Sequence, residues 1–164
     1  TRKYTSVDPA SYADVPGQGI VAGEESGSWA FWYNFDQYLW VSDTDPNIGW
    51  GLFAMTGVSD GNPNPVRWNV TVGIGAHGLI PGRKHDAFGV GYFRVGLSED
   101  LKDLLGAPPA PAGLSQRDEQ GVELFYSVAW TPWCRLTGDL QIVEPSTRNL
   151  NTAVLIGGRL KIDF

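Results

Sequence analysis

The end of the chain alternates with a period of two. Ile156, Leu160, Ile162 and Phe164 are apolar, whereas Arg159, Lys161 and Asp163 between them are charged. Successive side chains of a strand point to opposite faces, so this segment predicts a strand with one oily face and one polar face. The pattern recurs upstream and is cleanest over 66–76. There Val66, Trp68, Val70, Val72, Ile74 and Ala76 oppose Arg67, Asn69, Thr71, Gly73 and Gly75. Over 119–131, Val122, Leu124, Tyr126, Val128 and Trp130 oppose Gly121, Glu123, Phe125, Ser127 and Ala129. Over 133–143, Leu136, Leu140 and Ile142 oppose Arg135, Thr137, Asp139 and Gln141. In 28–41, Trp29, Phe31, Tyr33, Phe35, Leu39 and Val41 share a face broken by Gln37. In 86–97 both faces are apolar, with Phe88, Val90 and Tyr92 opposite Gly89, Gly91, Phe93 and Val95. With 49–58 and 152–164, the chain is expected to form seven strands.

Turn signals separate these strands. Asp45-Pro46-Asn47 marks 42–48, Asp60-Gly61-Asn62-Pro63-Asn64-Pro65 fills 59–65, Pro81-Gly82 breaks 77–85, and Thr131-Pro132 makes a tight turn. The connection 98–118 opens with a short helix capped by Ser98 and becomes Pro-rich from Ala107 to Gly113. Residues 144–151 form a loop. Residues 1–27 read as a long loop or a partial first strand, with Gln18, Ile20 and Ala22 as the faint alternation in 15–25. The expected strand length suits a tilted membrane crossing, which takes about 9–11 residues, better than the roughly 5–6 of most strands. Trp29, Trp40, Trp50, Trp68, Tyr92, Trp130, Trp133 and Phe164 fall near strand ends, as an interfacial girdle requires. The predicted fold is therefore all-β, a transmembrane antiparallel β-barrel forming a single region over 1–164. The three turns at 42–48, 77–85 and 131–133 lie on one side with the C-terminus, which is expected to be periplasmic. The alternative is a soluble carbohydrate-binding β-sandwich that buries Val70, Val72, Ile74, Leu140 and Leu160.

Composition narrows the function. The 164 residues carry 12 basic and 18 acidic side chains, a net charge of -6, with no polybasic run, so nucleic acid is not an expected partner. Cys134 stands alone, which rules out an intramolecular disulfide and a cysteine-based zinc cluster. No apolar run is long enough for a membrane-spanning helix. The chain begins at Thr1 rather than Met, which is expected of a processed or truncated product. His77 and His85 read as polar turn residues, and Asp100, Asp103, Asp118 and Glu119 as solvated loop acids or, at most, calcium or mouth ligands. No catalytic site, metal or cofactor is expected.

The polar face carries the candidate chemistry. It presents Trp32, Asp36, Arg67, Asn69, Glu123, Phe125, Arg135, Asp139, Gln141, Arg159 and Lys161. A channel selecting small polar solutes needs donors and acceptors on its wall, aromatic surface for any ring they carry, and binding weak enough for release. Arg67, Arg135 and Arg159 are candidate donors, Glu123 and Asp139 candidate acceptors, and Trp32 and Phe125 candidate stacking surfaces. The competing reading is that these charges pair across strands and only stiffen the wall, giving a structural or plugged barrel.

Several ordered blocks resemble the carbohydrate-selective porins of Gram-negative outer membranes. They are Gly49-Trp50-Gly51-Leu52-Phe53-Ala54, Asp60 to Val66, Gly78-Leu79-Ile80-Pro81-Gly82-Arg83, Asp86 to Tyr92, Arg117 to Tyr126, Thr131-Pro132-Trp133, Asp139-Leu140-Gln141 and Arg159 to Phe164. The resemblance covers roughly 28–164. It implies a sixteen-stranded barrel that admits monosaccharides and other small carbohydrates by passive diffusion, of which this chain supplies the last seven or eight strands. Seven is odd, whereas bacterial single-chain barrels have even strand numbers, so the N-terminal strands are expected elsewhere. The runner-up is a complete eight-stranded barrel. The resemblance further implies lipid and lipopolysaccharide around the barrel, and an assembly signal at Leu160, Ile162 and Phe164 read by the barrel-assembly machinery.

Overall fold

The computed structural model describes residues 2–106 and 114–163. Phe164 and the Pro-rich stretch 107–113 lie outside the described residues. Four short strands come first, β1 (Lys3–Thr5), β2 (Ala13–Val15), β3 (Gly19–Val21) and β4 (Glu24–Ser26). Seven long ones follow: β5 (Ala30–Val41), β6 (Gly49–Ser59), β7 (Val66–His77), β8 (Ala87–Leu97), β9 (Glu119–Thr131), β10 (Cys134–Glu144) and β11 (Ala153–Ile162). Helix α1 (Glu99–Gly106) lies between β8 and β9. Strands β5 to β11 form one seven-stranded meander in which each strand pairs antiparallel with its chain neighbours. Among the described residues no second long sheet stacks on it, so the architecture is not a sandwich. It is a segment of barrel wall, and β5 and β11 are each paired on one side only.

The register makes the two faces explicit. Across the middle of the sheet, Asp36, Phe53, Gly73, Gly91, Glu123, Gln141 and Leu155 are successive partners and point one way. The next row, Gln37, Leu52, Ile74, Val90, Leu124, Leu140 and Ile156, points the other way. That second face is an apolar band: Ile74, Leu124, Ile142, Leu160 and Ile156 are all exposed, the last to 85%. Ala76 is the one buried hydrophobic side chain among the described residues. A fold that hides almost no apolar side chain from its surroundings is stable only where those surroundings are themselves apolar. Aromatics bracket the band. Trp40 pairs with Trp50, and Phe88 stacks on Tyr126 at 6.4 Å, near the end carrying turns 42–48, 78–86 and 132–133. At the opposite, long-loop end, Trp68 pairs with Val58 and lies across Gly96, with the Arg94 guanidinium 5.6 Å from its ring.

Three single-residue irregularities alter the alternation. The register shifts between Tyr38 and Trp40, between Val66 and Trp68, and where Cys134 and Arg135 meet β9. An inserted residue reverses every side chain beyond it. Val41, expected beside Phe35 on the apolar face, therefore pairs with Gly49 on the polar one, and Trp40 turns outward. Likewise Val66 pairs with Leu97 rather than continuing the face of Trp68. The first irregularity brings the backbone of β5 onto Gly51: a Cβ there would collide with the Gln37 carbonyl oxygen, so only glycine fits.

Residues 2–27 add no strand to the long sheet. β1 pairs with β4 and β2 with β3, and a short 3-10 turn at Pro9–Ser11 packs against α1. Asn62 fastens this module to the loop 60–65: its side-chain oxygen accepts from the Val7 amide (2.9 Å) and its amide donates to Ser6 Oγ (3.0 Å). Ser6 is fully buried. Helix α1 is capped as its sequence requires, Ser98 Oγ accepting from the Leu101 amide at 3.1 Å. No described helix is long and apolar enough to cross a membrane.

Candidate functional site: the inner face of the sheet

The polar phase of the strands divides into three clusters. The first spans β9 to β11. Arg135 pairs with Lys161, Arg159 with Thr137, Glu123 with Gln141, and Asp139 lies between Phe125 and Gly157, its carboxylate covering the glycine. Six candidate polar residues are thus brought together beside Phe125, with the basic ones nearer the short-turn end. The second cluster lies at the long-loop end, where Trp32 and Asn69 flank Gly57 and Arg67 sits at the register shift, around a pocket of about 260 Å3. Asn69 Oδ1 is buried there without a hydrogen-bond partner. Arg67 therefore stands at the opposite end of the wall from Arg135 and Arg159. The third cluster is a pocket of about 240 Å3 on β5 to β9, lined among others by Asp36, Tyr38, Phe53, Gly75, His77 and Phe125.

These wall charges are largely uncommitted. Of the seven ion pairs among the described residues, only Lys161–Asp163 involves a candidate wall residue. The remaining pairs are at loops and rims. At the long-loop rim Asp118 takes Lys102 at 2.9 Å and Arg94 at 3.1 Å, and Arg117 takes Glu144 at 2.6 Å. Partial burial raises the Asp118 carboxyl, but the hydrogen bonds and charges of Lys102 and Arg94 outweigh it and hold the group below its ordinary value. Asp118, expected from sequence as a solvated loop acid or at most a calcium or mouth ligand, is thus occupied by cations of the chain itself. At the short-turn rim Asp86, only 3% exposed, accepts from Tyr126 (2.7 Å), the Ala129 amide (2.8 Å) and Arg83 (2.7 Å). No group of three His, Cys, Asp or Glu side chains suited to a metal is present among the described residues.

Sequence reasoning did not single out the inner aromatics Phe53, Phe93 and Tyr38 or the glycines beneath them. Phe53 lies over Gly73 and reaches toward Gly91. Phe125 lies over Gly89, Phe93 over Gly121, Trp32 over Gly57 and Tyr38 over Gly49. Each ring occupies the space a neighbouring Cβ would need, so the rings are laid along the wall instead of standing into the bore. The available signal was glycine recurring on the polar phase of adjacent strands, legible only once cross-strand register is known.

An antiparallel sheet with an apolar outer band, aromatic borders and an inner face rich in unpaired polar groups is the wall of a transmembrane porin barrel. The profile of the carbohydrate-selective porin, OprB family matches residues 2–164, and the chain belongs to that family. It is a family of outer-membrane channels, not of enzymes. The high-pH structure of Pseudomonas putida OprB matches with a TM-score of 0.80 at 26% identity, over 99% of this chain and 41% of that one. The low-pH structure of the same protein shares the fold, with a TM-score of 0.56 at 23% identity over 92% of this chain and 42% of that one. The chain therefore spans about two-fifths of the length of the porin it matches. No curated protein matches it.

Proposed function

We propose that this chain supplies part of the wall of a passive diffusion channel for monosaccharides and other small carbohydrates. The observation that carries the reading is the uncommitted inner face. Glu123, Gln141, Asp139, Arg135 and Arg159 adjoin one another without entering the described ion pairs. A wall built only for stiffness would satisfy such groups internally, because unpaired charges are costly in a dry interior. Facing a hydrated bore, the same groups exchange water for sugar hydroxyls. Arginine contributes a fixed fork of donors, the carboxylates accept, and Phe125 and Trp32 offer ring surface. The mechanism needs no catalytic step, metal or cofactor.

The free edges of β5 and β11 cannot face hydrocarbon unpaired, so further strands of the porin are proposed to close the barrel against them. The short-turn end, with the C-terminus, is assigned to the periplasm, and the outer band to lipid and lipopolysaccharide. Leu160 and Ile162 on the outward phase of β11, with Phe164, form the proposed signal for the assembly machinery. The test is swelling of liposomes carrying the intact porin. Faster entry of glucose than of an uncharged polyether of equal size supports a sugar channel. Equal entry of both makes it a general pore, and no entry of either makes it a plugged barrel.

A further inference from the structure

We infer that the inner wall holds a discrete subsite for a single pyranose ring between Phe53 and Phe125, over a floor at Gly75. This rests on the sugar-channel reading and adds to it a place and a ligand class. The floor is made by register. Tyr38, Gly51, Gly75, Gly89 and Phe125 are successive partners in one row, and Phe53 stands in the next row over Gly73. Phe125 covers Gly89 and Phe53 covers Gly73, but a Cβ built on Gly75 would meet no atom within 4 Å. Gly75 is thus the one member of the group left uncovered, and the gap above it opens into the pocket of about 240 Å3. That is about eight waters' share of liquid volume, room enough for one sugar ring.

The lining suits a neutral polyol. The two phenyl rings provide apolar surface for the C–H faces of a pyranose, whose polar groups lie around its edge. Asp36, Tyr38 and His77, which carry a carboxylate, a hydroxyl and an imidazole, also line the pocket. His77 Nδ1 lies 2.9 Å from the Asn47 carbonyl oxygen, which can only accept. Nδ1 is therefore the donor of that bond, which leaves Nε2 of the neutral ring as an acceptor for other partners. Asp36 enters none of the ion pairs among the described residues. Hydroxyls donate to both acceptors and receive from Tyr38. The shallow, open form keeps the site weak, which transport requires.

The test is glucose-dependent block of ion current through single intact porins in planar bilayers. Phe125→Ala and Gly75→Leu are each expected to weaken glucose block about tenfold, the order set by losing one ring contact. Asp36→Asn, which keeps shape, is expected to weaken it less. If the wild type shows glucose block and neither Phe125→Ala nor Gly75→Leu changes it, the subsite is refuted while the channel stands. If the wild type shows no block and no glucose entry, the channel reading itself fails. A second measurement avoids dependence on those variants folding. In a Cys134→Ala, Gly75→Cys protein, glucose should slow alkylation by a water-soluble maleimide and a polyether of equal size should not. Equal rates with and without glucose would overturn the proposal.

Discussion

Replacing Asp86 should loosen the short-turn rim without touching the bore. Its carboxylate is 3% exposed and accepts three hydrogen bonds, from the Tyr126 hydroxyl at 2.7 Å, the Ala129 amide at 2.8 Å and Arg83 Nε at 2.7 Å. Two of these donors belong to β9, so the group ties turn 78–86 to the sheet. In Asp86→Ala the Ala129 amide and Tyr126 hydroxyl lose their partner, each at about 1–3 kcal/mol if left dry. The Arg83 contact adds little, because that side chain is half exposed and its pair is screened by solvent. Interfacial water will satisfy part of the loss, so the expected cost is about 2–4 kcal/mol. Asp86→Asn retains one acceptor oxygen and should cost about half as much. The assay is the temperature at which the folded band is lost in unboiled gel electrophoresis, together with channel conductance. The pH dependence supplies an independent check. Burial raises the Asp86 carboxyl, but Tyr126, the Ala129 amide and Arg83 outweigh it, so its pKa is lowered on folding. A lowered pKa means stabilisation that is complete above the unfolded value, near 3.9, and lost as pH falls through the folded one. Asp86→Asn should abolish that acid-side loss. An unchanged unfolding temperature in Asp86→Ala, or an identical acid limb in Asp86→Asn, would refute the reasoning.

Arginine in place of Val72 or Leu140, on the outward phase, should cost on the order of 2–4 kcal/mol and lower the yield of folded barrel. The same change at the inward Gln141 should leave the yield unaltered, and equal yields from both faces would reverse the assigned phase. Asn62→Ala should release residues 2–27 from loop 60–65, read as faster protease cleavage within that segment while the sheet stays intact. Ser98→Ala should destabilise α1 by about 0.5–2 kcal/mol, seen as faster amide exchange at Leu101 and Lys102.

The long strands were legible because alternation was strong and turn residues were sharp. Residues 66–76, 119–131 and 133–143 were each expected within one residue of where β7, β9 and β10 run. What period-two reading cannot detect is a single inserted residue, which is why Val41 and Val66 were expected on the wrong phase and Trp40 on the inner face. The mixed character of 86–97 has a physical reason as well. Hydropathy does not distinguish the two faces of β8, because Phe93 is an apolar inner ring laid over Gly121. The candidate residues of β9 to β11 were singled out because their charges break an apolar pattern. Phe53 and Gly75 were not, because neither is polar and their meaning depends on which residue stands opposite. The hairpins within 2–27 are tied by Asn62 to Ser6 and Val7, contacts distant in sequence, and by the Tyr12 hydroxyl to the Ser6 carbonyl, and no periodicity announces them.

The rings laid across glycines have a consequence for how such a wall can diverge. In most folds a core substitution is felt on the outside, because one interior serves both surfaces. Here adjacent residues answer to separate solvents, and Gly73, Gly75, Gly89 and Gly91 are backbone seen from either side. Exchanging a ring for a smaller residue, or a bare glycine for a larger one, would re-contour the bore by the depth of a side chain. It would leave the strand count, the register and the lipid-facing residues as they were. Solute preference and membrane residence would then be inherited almost independently, one along each phase of the same strands.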